Sequence, residues 1–311
     1  MALIECVPNI SEGQRIEVVQ AIAGAMGAVP GVSLLDVSSD VSHNRSVLTF
    51  VGHGDDLRQA VIALFEAAVS RIDLRAHRGV HPRMGAVDVV PFVPFDESGM
   101  PECVTLARET AASVASRFHI PVYLYEEAAT DPARRQLESL RRGQFEGLAA
   151  RLSTAAWRPD FGPAAPHPTA GATAIGARHF LIAYNVNLAT DRLEVAKQIA
   201  VTIRSSDGGL PFMKAMGVSL AHRGIVQVSM NLTDSRRTSI PEAFEAVKRE
   251  AARRGVEILE SEIVGLVPAA ALEGVSPDEV KLADAALDRT IEGRLRQMRI
   301  EDFRKADGKI N

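Results

Sequence analysis

Along the first third of the chain, apolar residues occur in two kinds of pattern. Short continuous apolar runs, with the length and the β-branched content typical of buried strands, lie at residues 3–7, 32–37, 46–51 and 86–95. Residues 15–26 and 55–72 instead place their apolar side chains three and four positions apart, which indicates helices with one buried face. The order of elements predicted for this part is therefore βαββαβ.

The pattern changes in the middle of the chain. Residues 101–118 and 134–152 are predicted to be helices, and residues 121–125 a short strand between them. Residues 158–173 hold four prolines and two glycines, so this segment cannot form a regular element. We interpret it either as a domain linker or as a binding loop.

The second half of the chain repeats the order of the first. Strands are predicted at residues 180–188, 214–220, 224–231 and 256–266, and helices at residues 193–203 and 241–254. The segment ECVPNIS before the first helix also resembles the segment YNVNLAT before its counterpart. These similarities indicate an internal duplication.

The fold class predicted from this duplication is α+β, with two βαββαβ subdomains of the ferredoxin-like type. Each four-stranded sheet would have helices outside and a bare face that must be covered. Packing the two bare faces against each other would cover both, and it would place loops from both halves around a ligand tunnel or cleft. We expect an N-terminal subdomain over residues 1–178, a C-terminal subdomain over residues 179–272 and a helical tail over residues 273–311.

The tail is predicted to form a long helix that begins near Ser276. Pro277 is a favourable first helical residue, and apolar side chains then continue on one stripe at Val280, Ala283, Leu287, Ile291, Leu295 and Met298. Such a stripe usually packs on the helix's own domain, and contact with a second copy of the chain is the alternative.

Composition and charge narrow the choice of function. The net charge of −4 and the isoelectric point near 6.1 give no overall attraction for nucleic acid or for anionic membranes. No apolar stretch approaches the ~20 residues of a membrane span, and the N-terminus lacks the pattern of a signal peptide. Cys6 and Cys103, the two cysteines, suggest no disulfide framework. We therefore expect a cytoplasmic protein that binds neither nucleic acid nor membranes.

Candidate chemistry is concentrated in residues 77–84, a polar loop just before the strand at residues 86–95. His81 is the leading candidate for a general acid or base, because an imidazole titrates near neutral pH. A structural histidine bonded to a strand carbonyl is the alternative. His77 lies four residues away, but the glycine between them disfavours the helix that would align the two as metal ligands, and we expect no metal.

Several other polar side chains could contact a ligand. The basic candidates, each of which could hold a carboxylate or lie solvated at the surface, are Arg45, Arg78, Arg83 and Lys214. Asn44 lies in a polar turn, where it could contact substrate or only stabilise the turn. The amides at strand positions, some of which should line a wet cleft because buried unpaired amides are costly, are Asn185, Asn187, Gln227 and Asn231.

Ten segments, in the same order along the chain, carry a specific resemblance to a known family. They are LIECVPNISEG from residue 3, LLDV from 34, HNRSVLTFVG from 43, HPRMGAVDVVPFVPF from 81, PVYLYEEAA from 121, PDFGPA from 159, GATAIGAR from 171, FLIAYNVNL from 180, VQVSMNLTD from 226 and SEIVGLVP from 261. Through them, residues 3–271 resemble the glutamate formimidoyltransferase family, which forms the formiminotransferase domain of formiminotransferase-cyclodeaminase.

The resemblance implies an enzyme of histidine degradation. It would transfer the formimino group from N-formimino-L-glutamate to N5 of tetrahydrofolate, its co-substrate. It also implies two subdomains whose sheets face each other across a tunnel. Transfer of a formyl group, as by a glutamate formyltransferase acting on 5-formyltetrahydrofolate, and folate binding without catalysis are the alternatives. We further expect a homodimer.

The resemblance also implies roles for particular residues. The catalytic histidine of the family falls on His81, which would take a proton from the attacking amine and return it to the departing glutamate nitrogen. We predict that Arg83 and Arg45 hold substrate carboxylates and that Asn44 contributes to substrate binding. The folate-binding loop of the family falls on Gly162, Pro163, Ala164, Ala165, Pro166, His167, Pro168, Thr169, Ala170 and Gly171.

Overall fold

The computed structural model describes residues 2–95, 99–282 and 289–298. The chain divides into two compact units, residues 1–178 and residues 179–311. Each unit is an α+β fold on a single sheet, which confirms the predicted fold class. The expected packing of one sheet on the other stays a prediction.

The first unit contains seven strands and five helices among its described residues. The strands are β1 (Ile4–Cys6), β2 (Asn9–Ile10), β3 (Ser33–Asp40), β4 (Arg45–Gly52), β5 (Val87–Pro94), β6 (Val122–Glu126) and β7 (Thr173–Ala177). The helices are α1 (Ile16–Gly27), α2 (Gly54–Val69), α3 (Met100–Phe118), α4 (Leu137–Arg141) and α5 (Gln144–Leu152).

The N-terminal strand lies at the centre of this sheet. Both β1 and β2 pair antiparallel with β4 on one side and with β5 on the other, and β3 extends the sheet beyond β4. The strand is broken between β1 and β2, where Pro8 has no N–H to donate to a neighbouring strand. The order β3–β4–β1/β2–β5 is that of a ferredoxin-like βαββαβ unit, as predicted.

Two further strands extend the sheet on the β5 side. β7 pairs parallel with β5, and β6 pairs parallel with β7. The strand β7 was not predicted: Thr173 falls in the segment expected to be irregular, and the alanines and glycine that follow it give little strand signal. Small residues are needed there: a Cβ added to Gly176 would lie 2.3 Å from the carbonyl oxygen of Tyr125.

Helices α1, α2 and α3 cover one face of this sheet and form its main core. The largest fully buried side chains there include Phe50, Phe65, Phe92, Ile4 and Ile22. A second, smaller cluster lies on α4 and α5 and contains Val89, Tyr123, Leu140, Leu148 and Ala174. The end of the sheet that carries β5, β6 and β7 is therefore packed on both faces.

The single helix predicted over residues 134–152 is wrong. Gly143 lies between α4 and α5 with a φ of +83°, a left-handed conformation that interrupts a right-handed helix. The carbonyl groups that this break leaves open are bound by Arg151, which donates to the backbone oxygens of Ser139, Leu140 and Arg142.

The second unit is a plain ferredoxin-like fold. Its described elements are β8 (Ile182–Leu188), α6 (Leu193–Ile203), β9 (Met213–Leu220), β10 (Ile225–Leu232), α7 (Ile240–Arg253) and β11 (Ile258–Val264). All pairs are antiparallel in the order β11–β8–β10–β9, which repeats the order in the first unit. The predicted duplication is therefore present in the topology.

The tail does not form the predicted continuous helix. Residues 277–281 form turns, and Leu282 makes an isolated bridge to Ser261 of β11. A helix does occupy residues 291–298, while residues 283–288 and 299–311, and with them Ala283 and Leu287, lie outside the described residues. Val280 and Leu282 are buried in the core of the second unit, as expected of a tail that packs on its own domain.

Candidate active site

Asp88 holds the C-terminal end of the loop that carries His81. It lies in β5 and is 2 % exposed, and its Oδ1 accepts hydrogen bonds from the backbone N–H groups of Met84 at 2.7 Å and Gly85 at 3.3 Å. Its Oδ2 accepts a hydrogen bond from Nε of Arg141, in α4, at 2.8 Å. A buried carboxylate is costly unless it is paired, so these bonds compensate its burial. Asp88 also brings Arg141 to this end of the loop.

His77 holds the other end of the loop as a neutral structural side chain. Its Nδ1 accepts a hydrogen bond from Nε of Arg83 at 3.1 Å. Because a guanidinium has donors only, this Nδ1 carries no proton, and Nε2 therefore donates to the backbone carbonyl of Asn44 at 2.9 Å. Burial lowers the pKa of His77, which favours the same neutral form.

Arg83 binds a carboxylate that belongs to the protein itself. The side chain is almost fully buried, and two of its nitrogens donate to Glu146, at the start of α5, over 2.9 and 2.7 Å. A further bond of 3.2 Å reaches the amide oxygen of Gln144. The hydrogen bonds from Arg83 lower the pKa of Glu146 to about 2. Substrate binding by Arg83 stays a prediction.

His81 lies against a second arginine. Nη1 of Arg45, at the start of β4, is 2.6 Å from Nε2 of His81, and the ring of His43 lies at 5.9 Å between centroids. Burial lowers the pKa of His81 to about 2, with the positive charges of Arg45 and Arg141 acting in the same direction. Burial likewise lowers the pKa of Arg45 to about 9.

Two buried polar atoms of this pair have no hydrogen bond within the described part of the chain. They are Nδ1 of His81 and Nε of Arg45. The backbone of Pro82 interacts with the His81 side chain and acts to raise its pKa, but Nδ1 itself has no hydrogen-bond partner. Buried polar groups in folded proteins nearly always have partners, so unpaired ones indicate a place where water or a ligand binds.

Asn44 shapes the turn that presents Arg45. It has a φ of 49°, its Oδ1 accepts from the backbone N–H of Gly13 at 2.9 Å, and its Nδ2 donates to the carbonyl of Arg78 at 2.9 Å. Asparagine tolerates this left-handed conformation better than most residues. The turn also packs closely on the loop, since a Cβ on Gly79 would lie 2.3 Å from the carbonyl oxygen of His43.

The segment predicted to bind folate ends in a tight, self-bonded turn. The backbone groups of His167 and Gly171 exchange two hydrogen bonds of 2.9 and 3.0 Å, and Nδ1 of His167 accepts from the N–H of Ala170 at 3.0 Å. Gly171 has a φ of +70°, which a glycine adopts at little cost. Residues 162–165, at the start of the segment, are exposed and carry only small side chains.

The structure brings this segment and the His81 loop side by side. The N–H of Ala86 donates to the carbonyl of Ala170, and the N–H of Ala172 donates to the carbonyl of Met84, both at 3.0 Å. The approach is close, since a Cβ on Gly85 would lie 2.1 Å from the carbonyl oxygen of Ala172. The two segments singled out from the sequence therefore form one continuous structure.

Sequence reasoning missed two residues of this site. Asp88 lies in an apolar strand, and Arg141 lies in a charged helix 53 positions further along the chain. A buried carboxylate inside the run from residue 86 to 95 was the only available signal, because its burial requires a cationic or hydrogen-bonding partner. Nothing in the sequence indicated which arginine would be that partner.

In the second unit, three of the four predicted strand amides, Asn185, Asn187 and Gln227, form a hydrogen-bonded network. Nε2 of Gln227 donates to Oδ1 of Asn187 and to Oε1 of Glu262, both at 2.9 Å, and Asn185 donates to the same glutamate oxygen at 3.1 Å. Asn187 in turn donates to Glu260 at 2.9 Å. Asn187 and Gln227 are almost fully buried, so these bonds offset the cost of removing their amides from water.

Among residues 2–95, 99–282 and 289–298, no group of three or more histidine, cysteine, aspartate or glutamate side chains is arranged to hold a metal ion. Within the same residues, no helix combines the length and the apolarity needed to cross a membrane.

The first unit carries a histidine and an arginine in contact, on loops that are hydrogen-bonded to a segment with glycines and prolines, an arrangement suited to an enzyme that acts on a small molecule. Comparison with known sequences identifies the family. Two family sequence models match the chain. The model described as "Formiminotransferase domain, N-terminal subdomain" matches residues 3–178, and the one described as "Formiminotransferase domain" matches residues 183–277. The chain belongs to the formiminotransferase family.

Several relatives are similar over most of the chain. Glutamate formimidoyltransferase of Streptococcus pyogenes serotype M1 is 45% identical over 282 residues, which are 91% of this chain and 94% of the relative. Glutamate formimidoyltransferase of Thermoplasma acidophilum is 50% identical over 278 residues, 89% of this chain and 91% of the relative. Formimidoyltransferase-cyclodeaminase of Sus scrofa is 44% identical over 276 residues, 87% of this chain but 51% of that longer protein.

Proposed function

We propose that this chain is a glutamate formimidoyltransferase that transfers the formimino group from N-formimino-L-glutamate to N5 of tetrahydrofolate, giving L-glutamate and 5-formiminotetrahydrofolate. The relatives from Streptococcus pyogenes and Thermoplasma acidophilum carry that name and align over nearly their whole length. Tetrahydrofolate is then a co-substrate that supplies the nucleophilic N5 amine, and the reaction needs no metal.

The observation that carries the proposal is the junction between the two loops. The loop with His81 and the segment from Gly162 to Gly171 are joined by backbone hydrogen bonds at Met84 and Ala86. A proton-transfer group and a folate-binding loop must lie together for a folate amine to react. The family resemblance and the geometry therefore lead to the same pair of segments.

His81 is proposed as the proton carrier. Nδ1 of His81 has no partner among the described residues, whereas both ring nitrogens of His77 are hydrogen-bonded to the protein. One imidazole can remove the proton of the attacking amine and return it to the glutamate nitrogen. General acid–base catalysis of this kind contributes roughly 10² to 10⁴-fold.

Arg45 is proposed to hold a carboxylate of the donor. It contacts His81, and its Nε is buried without a partner. Guanidinium groups are suited to bind carboxylates. Arg83 and Asn44 are proposed to contribute to substrate binding as well; Arg83 also binds Glu146, and Asn44 shapes the turn beside Arg45.

The folate is proposed to contact the segment from Gly162 to Gly171. The exposed first half offers small side chains, which leave space for a flat ring system, while the second half is fixed by its own hydrogen bonds. We also propose that the enzyme works as a homodimer in the cytoplasm, without nucleic-acid or membrane partners.

An assay with purified protein separates the candidate reactions. Tetrahydrofolate consumption would be followed with N-formimino-L-glutamate as donor, and folate product formation with N-formyl-L-glutamate in its place. Turnover with the formimino donor at least about tenfold faster than with the formyl donor is expected. Faster turnover with the formyl donor would replace the proposal by formyl transfer, and folate binding without turnover of either donor would reduce the protein to a folate-binding protein.

A further inference from the structure

The contact between Arg45 and His81 determines where the imidazole proton lies. Nη1 of Arg45 is 2.6 Å from Nε2 of His81. A guanidinium can donate hydrogen bonds but cannot accept them, so Nε2 must be the acceptor and must lack a proton. A neutral imidazole then carries its proton on Nδ1, the nitrogen that is buried without a partner.

The charges around His81 favour that neutral form. Arg45 faces it from β4, His43 from the turn before β4, and Arg141 from α4, and each lowers the pKa of His81 after the larger effect of burial. The carboxylates of Asp88 and Asp40 act to raise the pKa of Arg45. Asp88 is itself bound by Arg141. The charged groups that act on His81 are therefore the cationic ones, and their combined effect opposes its protonation.

This arrangement creates a difficulty for proton transfer. A general base works best when its pKa is near the working pH, but here the pKa of His81 is lowered to about 2. The lone pair of Nε2 is also occupied by Arg45. A histidine in this state neither binds a proton firmly nor offers the nitrogen that should receive it.

Arg45 contributes to both obstacles, and a carboxylate bound to Arg45 would reduce both. Nε of Arg45 is a buried donor without a partner, so the guanidinium has unused capacity for an anionic group. An anion on Arg45 neutralises the charge beside His81 and competes for Nη1. Each effect raises the proton affinity of Nε2.

We propose that Arg45 is a positioning residue for His81: in the free enzyme it keeps the imidazole neutral with its proton on Nδ1, and a substrate carboxylate that binds Arg45 frees Nε2 to act as the base. The inference rests on the proposed role of His81 in formimino transfer. It adds that the donor substrate itself makes the base competent.

The proposed role of Arg45 leaves the proton balance of the reaction unchanged. The carbon–nitrogen bond to the folate amine forms, and the carbon–nitrogen bond to glutamate breaks. One proton moves from the amine to Nε2 of His81 and then from Nε2 to the glutamate nitrogen. The imidazole is neutral, with its proton on Nδ1, before and after the cycle, so no further reactant is needed.

Nitrogen-15 NMR of the histidine rings tests the first part. In wild-type protein, assigned by comparison with His81→Asn, the His81 ring is expected to show a protonated Nδ1 and an unprotonated Nε2 from pH 8 down to about pH 5. In Arg45→Met, which removes the charge and the donor, the pKa of His81 should rise relative to the wild type, while burial and Arg141 still hold it below the ordinary value of about 6.5. Arg75→Met, an exposed arginine outside the site, is the matched control and should leave His81 as in the wild type.

Either of two results would overturn this part. One is a wild-type His81 that carries its proton on Nε2 or titrates near pH 6.5. The other is an Arg45→Met variant whose His81 has the same tautomer and the same titration midpoint as the wild type. Both readouts come from the ring itself, so they do not depend on whether formimino transfer is the reaction.

Addition of the product L-glutamate to wild-type protein tests the second part, in which a carboxylate that binds Arg45 frees Nε2 of His81. This test does not require any variant to fold. At saturating L-glutamate, the titration midpoint of His81 should rise by at least about one pH unit, because a negative charge near a histidine stabilises the imidazolium and raises the pKa by about that much. An unchanged midpoint at saturation would overturn the proposal that a carboxylate on Arg45 frees Nε2. The donor assay with wild-type protein decides the proposed function separately, and turnover of His81→Ala decides the proposed role of His81.

Discussion

The site is held in place by a few buried charged residues rather than by the reactive ones. Asp88 fixes Met84, Gly85 and Arg141 at the C-terminal end of the loop, and Arg83, which is paired with the exposed Glu146, binds His77 at the other end. Buried ion pairs are costly to break, because removing one partner leaves the other charge uncompensated. Substitutions at these positions should therefore both displace the loop and lower the free energy of unfolding.

Asp88→Ala should be strongly destabilising. The ion pair with Arg141 has side-chain exposures of 3% for Asp88 and 14% for Arg141, so the arginine would be left nearly buried without an anion. The expected loss in the free energy of unfolding is about 3–5 kcal/mol. Urea denaturation followed by circular dichroism measures it.

Glu66→Ala is the matched control for this loss. Glu66 pairs with Arg117 at 2.7 Å, but both side chains are more than half exposed. An exposed pair contributes less than about 1 kcal/mol. If Asp88→Ala cost no more than Glu66→Ala, the structural role assigned to Asp88 would be wrong.

Glu146 should contribute to the pH dependence of stability. Hydrogen bonds from Arg83 lower its pKa from 4.5 to about 2. A carboxyl whose folded pKa lies below its unfolded pKa stabilises the protein above the unfolded value, and this contribution is lost as the pH falls from about 4.5 towards about 2. Glu146→Gln should therefore flatten the decline of the urea midpoint in that window.

The control for Glu146 is Glu245→Gln, in an exposed pair with Lys248 on α7. Its urea midpoint should decline with pH as steeply as that of the wild type. An equally steep decline in Glu146→Gln would show that the pair with Arg83 is not formed in solution.

Some residues of the site could be predicted from the sequence and others could not. His81 and Arg45 lie in polar turns beside apolar strands, which is a local signal. Arg83 has the same local signal, yet its guanidinium binds Glu146, 63 positions away. Which of two similar arginines contacts His81 is decided by tertiary contacts that no spacing along the chain encodes.

Among the elements, Gly143 is the residue that separates α4 from α5. A residue with a side chain is strained at its φ of +83°, so Gly143→Ala should lower the free energy of unfolding by about 1–3 kcal/mol. Gly147 lies inside α5, where an added Cβ meets nothing within 4 Å. Gly147→Ala should therefore raise the same free energy by about 0.4–1 kcal/mol. Thermal or urea unfolding of the two variants should give changes of opposite sign.

The regular elements of the fold were the most predictable part. The helix predicted at residues 193–203 agrees with α6 (Leu193–Ile203), because its apolar positions alone define the buried face. The errors fall where backbone conformation outweighs that pattern. Gly143 divides a helix, turns replace the start of the tail helix, and β7 is hidden among alanines and glycines.

For the whole molecule, the duplication predicted from the sequence is present in both sheets. The first unit adds two parallel strands and two short helices to the ferredoxin-like order, whereas the second does not. The addition includes Arg141 and the strand that follows the Gly162 to Gly171 segment. The added elements, and not the duplicated core alone, therefore build the proposed site.

The proposed homodimer is tested by light scattering coupled to size-exclusion chromatography. A monomer has a mass of 33.4 kDa, so a dimer should elute with about twice that mass. The mass should stay constant on dilution if the dimer is the working form. A mass equal to that of one chain at all concentrations would contradict the proposal.

The central claim is that His81 carries the proton in formimino transfer, and the turnover of His81→Ala tests it most directly. Turnover would be measured with N-formimino-L-glutamate and tetrahydrofolate at saturation, beside the wild type and His222→Ala, an exposed histidine of the second unit. Equal urea midpoints would establish that all three proteins are folded. A loss of at least about 10²-fold in kcat for His81→Ala, with His222→Ala unchanged, is the predicted result. A His81→Ala enzyme with kcat within about twofold of the wild type would contradict the account.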